Sequence, residues 1–318
     1  EIAYRLVKKA DVFYTNFRRG AADRLGVDYQ SLSRYNSRLI YARASTYGPK
    51  GAEVDTRGFD WVGQARSGMM MAGAGDGDPP FVMTGGMVDQ AGAIALAYGV
   101  LVALVARDRL GVGQEVDTSL IGSALWLQYI SLTSYLLRGK EMHRHDRTRA
   151  VNPLGNTYRC ADGKWLALIE IQTDRFWGDF CRALGAENLT EDPRFGDVKG
   201  RRQHKEALIV ILDQIFATKT RDDWVKVLRN YQFAYAPIST IPEMVSDPQV
   251  LANDYIVEMD HPDLGRIKAV GLPITLSHSQ GMVKNPAPQL GQHTEEVLLD
   301  WGGYTWEEIS SFREEGVI

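Results

Sequence analysis

The chain has 318 residues, 44% hydrophobic and 24% charged, which is ordinary for a globular protein and long enough for more than one domain. A net charge of −4 supplies no global field for nucleic acid or an anionic membrane, so an anionic ligand has to be held by local basic groups. The two cysteines, Cys160 and Cys181, show no CxxC or Cys/His spacing, which argues against a disulfide scaffold or a metal site and fits a reducing cytoplasm.

The first residues read as a helix, with Ile2, Leu6 and Val7 apolar and Lys8 and Lys9 polar. A strand-like segment, Asp11 to Asn16, follows directly. A chain that opens on the second half of an αβ unit suggests that a first strand precedes it. Val12 to Thr15 and Leu39 to Ala44 are β-like, while Ala21 to Leu25 and Tyr29 to Tyr35 are short helices on pattern. This alternation predicts a parallel α/β sheet with ligands at the carboxyl ends of its strands. The loops there are Asn16 to Gly20 and Ser45 to Pro49.

The segment Thr84-Gly85-Gly86-Met87-Val88-Asp89-Gln90-Ala91-Gly92 sets one carboxylate between a Gly-rich turn and the uncharged run Ala91 to Ala106. The run reads as a buried helix, too short for a membrane span. Asp89 at its mouth is either an N-cap or a reactive group. Gly85, Gly86 and Gly92 serve a turn and close packing, or the approach of a bulky ligand. A turn at Arg109 to Gln114, a strand at Glu115 to Leu120 and a helix at Ser123 to Leu137 follow. Residues 138–149 are dense in charge, include His143 and His145, and lack apolar periodicity, as a linker does.

Beyond Val151 the pattern becomes α+β. Asn156 to Cys160 and Trp165 to Ile171 are strands about the turn Ala161 to Lys164. Helices are expected near Arg175 to Leu184, Lys205 to Phe216 and Arg221 to Asn230, with short pieces at Ser239 to Val245 and Pro248 to Ala252. A hairpin joins Ile256 to Asp260 with Arg266 to Val270. Asn285-Pro286-Ala287-Pro288 is a second linker, and helices at Thr294 to Leu299 and Trp306 to Glu315 close the chain.

Several of these segments share one pattern. Asp11-Val12-Phe13 through Asn16-Phe17-Arg18-Arg19-Gly20, with Asp23-Arg24-Leu25-Gly26, resembles a signature of class III CoA-transferases, the family of formyl-CoA transferase, carnitine CoA-transferase and α-methylacyl-CoA racemase. Asn36 to Tyr41, Asp108-Arg109 through Gly113-Gln114 with Val116-Asp117, Asp162 to Trp165, Asp247-Pro248-Gln249 and Ala287 to Thr294 are similar to further family motifs in the right order. The resemblance spans nearly the whole chain.

It implies a Rossmann-like large domain with a smaller α+β domain, the large one built from both chain ends, and two chains threaded as an interlocked dimer. On that scheme residues 1–140 form the large domain without its first strand, 141–150 a linker, 151–284 the small domain, and 285–318 the return to the large one. Asp89 matches the family's catalytic aspartate. Asn16, Phe17 and Ala21 match positions lining the adenosine pocket, and Leu25 is grouped with them. Arg24 matches a basic residue near the CoA phosphates, and Arg57 stands where the family has a Lys. Arg18 and Arg19 are phosphate ligands or a solvated loop.

The implied partners are an acyl-CoA and a carboxylic acid, with a homodimer or a pairing with a homologous subunit. Coenzyme A is the cofactor, no metal is needed, and neither nucleic acid nor membrane is involved. Moving CoA between two acids is nearly isoenergetic, and one carboxylate nucleophile splits it into easier steps through a mixed anhydride and an aspartyl-CoA thioester. The N–H groups of Asp89 to Gly92 offer an oxyanion site. The racemase branch carries a His where Arg57-Gly58-Phe59-Asp60 has Phe59, and Phe moves no proton, so transferase is favoured over racemase or isomerase. A non-catalytic CoA-binding subunit of a heteromeric enzyme is the rival from another class. Asp89 argues against it. Met69 to Met71, Trp61 and Trp126 are core packing or an acyl pocket.

Overall fold

A computed structural model describes residues 1–75, 77–141 and 144–318, so His143 of the linker lies outside the described residues. Two compact units result: Glu1–Arg144 together with Pro288–Ile318, and His145–Ala287.

In the first unit, β1 (Val12–Thr15), β2 (Ile40–Ser45) and β3 (Glu115–Ser119) form a parallel sheet in the order β1-β2-β3. The mixed α/β class with a parallel sheet is the one the alternation predicted. In β2, Ile40 to Arg43 are all buried, as expected of a strand covered on both faces. Gly113, just before β3, is a close-approach glycine, since a Cβ there would meet the Leu39 carbonyl oxygen at 2.1 Å.

The helix expected in one piece at Ser123 to Leu137 is two, Leu120–Leu127 and Tyr129–Arg138, bent by 76° at Gln128. Gln128 donates its side-chain amide to the carbonyls of Ser67 and Ala124, which holds the break.

The apolar run extends further than its uncharged core. It is the helix Met87–Leu110, 24 residues, long and apolar enough by length and composition to cross a bilayer. The expectation of a buried helix fails within one chain. It packs against β2, β3 and Leu120–Leu127, but Ile94 is 71% and Tyr98 70% exposed, and Leu101, Val102 and Val105 are exposed beside them. Only one side is covered because Gly92 and Gly99 let the helix lie close to Leu120 and Val116, while the large side chains point away.

The core of the first unit is three small clusters, around Leu32, Leu39 and Tyr41, around Met69, Val88 and Ala124, and around Leu298, Tyr304 and Ile309. Ile2 packs on the last of these, and Arg5 lies over the Tyr304 ring, so both ends of the chain share it.

In the second unit, β4 (Gly155–Arg159), β5 (Trp165–Ile169) and β6 (Tyr235–Ile238) make an antiparallel sheet, and β7 (Ile256–His261) pairs with β8 (Gly265–Val270) as the expected hairpin. β6 was not anticipated; its Ala-Pro centre dilutes the apolar pattern. Helices Thr173–Leu184, Lys205–Phe216 and Arg221–Leu228 contribute to one continuous core with Tyr158, Phe180, Phe195, Phe216 and Trp224. Cys160 and Cys181 are buried, free thiols in that core, and burial pushes them up to about 11 and about 12. Iodoacetamide at neutral pH should therefore leave both unlabelled in the folded chain and label both in denaturant, as counted by intact mass.

Candidate active site

A cleft of about 1210 Å³ opens in the first unit at the carboxyl ends of β1 and β2. The loop after β1 brings Asn16, Phe17 and Arg18 to its wall, and the helix Arg19–Leu25 adds Leu25. The end of β2 gives Ser45, and the loop after it gives Thr46 and Gly48. Arg57 and Phe59 close one side, and Asp89, Gly92 and Ala93 come from the first turns of the long helix. Of the residues singled out from sequence, Asn16, Phe17, Leu25, Arg57 and Asp89 line the cleft. Ala21 and Arg24 lie on the same helix as Leu25 but outside the lining.

Asp89 is not the N-cap. That position is Gly86, in the left-handed region at φ 66°, and Asp89 sits three residues on with its carboxylate free of hydrogen bonds and ion pairs among the described residues. The cap is supplied from elsewhere. Asp60, in the first turn of the helix Asp60–Arg66, accepts the N–H groups of Val88 at 2.7 Å and Asp89 at 3.1 Å through Oδ1. Partial burial, with the Asp60 carboxylate adding to it, pushes the Asp89 carboxyl above its ordinary value of 3.8.

The same contacts correct the oxyanion expectation. The N–H of Asp89 is used by Asp60, and that of Gln90 goes to the Gly86 carbonyl at 2.9 Å. Gly85 and Gly86 are turn glycines with φ 87° and 66°, and Gly92 packs close to Leu120. Their backbone freedom brings the chain into the helix at the cleft wall.

The floor holds an ion network in which Arg43, outside any motif, joins Arg19 and Asp117, each from a matched motif. Arg43, 3% exposed, donates Nε to Asp117 Oδ1 at 3.2 Å and Nη2 to Oδ2 at 3.0 Å, and pairs with Glu115. The parallel register sets Arg43 opposite Asp117. Arg19 donates to Asp117 Oδ2 at 2.9 Å. Arg19 thus belongs to this network, whereas Arg18 is exposed at the cleft wall. For Arg43 the only sequence signal was a charge in an otherwise apolar strand. Arg57 is exposed, with its guanidinium 5.1 Å from the Phe59 ring centre. Its neighbour Gly58 lies against Thr46, so the loop hugs the floor.

Met69 is packed in the core, while Met71, Trp61 and Trp126 are exposed and outside the cleft. His145 bonds Asn156 in the second unit, and His293 is exposed at the helix start Thr294. No group of three or more His, Cys, Asp or Glu among the described residues is placed to hold a metal.

The cleft wall thus carries a free carboxylate, Asp89, with the Phe17 and Phe59 rings and the Arg18 and Arg57 side chains along it. Residues 1–294 match the family model of CoA-transferase family III. The chain belongs to that family. It is 31% identical over 319 residues to (R)-2-hydroxy-4-methylpentanoate CoA-transferase of Clostridioides difficile, covering 100% of this chain and 79% of that protein. It is 30% identical to the succinyl-CoA–L-malate CoA-transferase beta subunit of Chloroflexus aurantiacus, covering 98% and 78%. A CAIB/BAIF family protein from Brucella suis has the same fold, with a TM-score of 0.82 and 26% identity over 94% of this chain and 78% of that one. Family III membership makes the chain a transferase enzyme with coenzyme A as the acyl carrier.

Proposed function

We propose that this family III CoA-transferase moves coenzyme A from an acyl-CoA to a carboxylic acid through Asp89. The observation that carries the reading is the Asp89 carboxylate, free of partners among the described residues and facing the cleft, with Asp60 in the capping role. An Asp89 oxygen attacks the thioester carbonyl, the C–S bond breaks, and CoA thiolate leaves an acyl-aspartyl anhydride. The thiolate attacks the Asp89 carboxyl carbon, releasing the donor acid and leaving an aspartyl-CoA thioester. The acceptor carboxylate attacks that thioester, forming a second anhydride and freeing the thiolate. Thiolate attack on the acceptor's acyl carbon then gives the new acyl-CoA and restores Asp89. Each step conserves charge and needs no redox partner.

Asn16, Phe17 and Leu25 on the cleft wall suit an adenosine moiety, and Arg57 suits its phosphates. Ala21 and Arg24 stay in this proposal as flanking groups on the same helix. Arg57→Ala should weaken binding of free CoA by about tenfold to a hundredfold in calorimetry, the loss of one or two charge-assisted contacts. Phe59 occupies the cleft where proton exchange at an α-carbon would need a base, which favours transfer over racemisation.

The two units are read as the large and small domains of an interlocked dimer in the cytoplasm. The uncovered face of Met87–Leu110 supports a protein partner, either a second copy or a homologous subunit, as does the heteromeric relative's beta-subunit name. The test of the reading is intact-mass analysis after incubation with succinyl-CoA, acetyl-CoA and other acyl-CoA donors, followed by hydroxylamine or borohydride trapping. A trapped adduct that maps to Asp89 supports it. An adduct elsewhere, or CoA binding with none, refutes it.

A further inference from the structure

The position of Asp89 is set by two buried side chains, Asp60 at the end of the matched segment Arg57 to Asp60 and Gln64 beyond it. Asp60 and Gln64 lie one turn apart on one face of the helix Asp60–Arg66, and Gln64 is fully buried. The Gln64 amide is spent in three directions. Its Nε2 donates to Asp60 Oδ2 at 2.6 Å and to the Met83 carbonyl at 2.8 Å, and its Oε1 accepts the Met83 N–H at 3.0 Å. Gln64 therefore grips the backbone of Met83 from both sides. Asp60 grips Val88 and Asp89 through the other carboxylate oxygen. Both ends of the segment Met83 to Asp89 are pinned to one helix, and the glycine turn lies between the pins. Gly63, between Asp60 and Gln64, lets that helix approach, since a Cβ there would meet Val88 Cγ1 at 2.8 Å.

The choice of residue is informative. A serine or asparagine caps a helix about as well as aspartate. Asp60 is 7% exposed, its partners are all neutral N–H groups, and it forms no ion pair among the described residues. A buried carboxylate without a cation, set beside a second carboxylate, costs stability that a cap alone does not require. Such costs are retained where they serve chemistry.

We propose that Asp60 and Gln64 are positioning residues for CoA transfer, a clamp that fixes the Asp89 carboxylate on the cleft wall and leaves it free to meet the thioester. The inference rests on the reading of Asp89 as nucleophile. Asp60 is also the charged group that acts on Asp89, so its charge and its hydrogen bonds have separable effects.

The full chain is compared with Asp60→Asn, Gln64→Leu, Gln64→Glu, Asp60→Asn/Gln64→Glu and Asp89→Asn, with circular dichroism confirming the fold. Carboxyl carbon-13 NMR reads the titration of Asp89 without any substrate, its signal identified by its loss in Asp89→Asn. The rate of adduct formation is read with succinyl-CoA and acetyl-CoA. Asp60→Asn keeps an oxygen for both N–H groups but removes the charge, and Asp89 should titrate at lower pH. Gln64→Leu should slow adduct formation about 100-fold, the usual effect of a displacement of about 1 Å. The double variant, in which Asn donates to Glu across the same contact, should outperform Gln64→Glu about tenfold. A merely structural role moves melting temperature and leaves the rate of adduct formation in place. Wild-type adduct formation in Gln64→Leu overturns the clamp, and if that variant does not fold, a double variant no faster than Gln64→Glu overturns it instead. Adduct formation in Asp89→Asn instead overturns the nucleophile, whatever the NMR shows.

Discussion

Asp89→Asn is expected to reduce CoA transfer by on the order of 10⁴-fold or more and to abolish the trapped adduct. Asparagine is nearly isosteric and leaves the Asp60 contacts to the Val88 and Asp89 N–H groups intact, so the loss should be chemical and not conformational. Its stability should move the other way. The folded state raises the Asp89 carboxyl above 3.8 through partial burial and the Asp60 charge, so ionising it costs stability as pH rises through that raised value. Below about pH 3.8 the two proteins should melt alike; at neutral pH the asparagine variant should melt slightly higher. The acid limb of wild-type kcat/KM should lie above pH 3.8 for the same reason. A pH series of melting temperatures with parallel transfer rates measures all three. Retained transfer in the variant would remove Asp89 from the mechanism.

The second large effect is on folding. Arg43→Met should cost about 3–5 kcal/mol, because it strands carboxylates beneath the cleft instead of removing a whole network. Asp117 keeps Arg19, but among the described residues Glu115 is then held only by the longer 3.9 Å contact to that residue. Arg43→Met/Asp117→Leu should lose less than the single variant, since the stranded charge goes with its partner. Urea titrations of the three proteins give the comparison. A single variant within 1 kcal/mol of wild type, a small fraction of the roughly 3–5 kcal/mol expected, would show that the floor of the cleft does not depend on this network.

The sequence carried the parallel α/β alternation because β2 is buried on both faces and reads as an apolar run, and its motifs led to the family. It carried Asp89 because a lone carboxylate interrupts a Gly-rich and apolar context. What it lacked were partners distant along the chain. Asp60 reaches Asp89 across 29 residues, and Arg43 reaches Asp117 across 74. Neither pairing has a local spacing to betray it. The burial of Met87–Leu110 was misjudged for a related reason. An all-apolar helix states that it must be covered, but not whether its own chain covers it. The two-piece helix after β3 escaped notice because Gln128 is a good helix former, and the bend comes from its side-chain bonds to the Ser67 and Ala124 carbonyls.

The split of the first unit between both ends of the chain has a consequence for synthesis on the ribosome. Residues 145–287 are contiguous and carry their own core, so they can fold as soon as they clear the exit tunnel. The cluster that joins Ile2 to Leu298, Tyr304 and Ile309 cannot close until those last three residues have been made and have emerged. For that interval the earlier residues wait without this cluster, and the apolar face of Met87–Leu110, which their own chain does not cover, is open to solvent throughout. Nascent chains arrested once residue 287 has cleared the tunnel, with the residues after it still inside, should thus show a protease-resistant fragment from the middle of the sequence and a nicked portion before it. Chaperone demand during expression should fall on the residues made before 145.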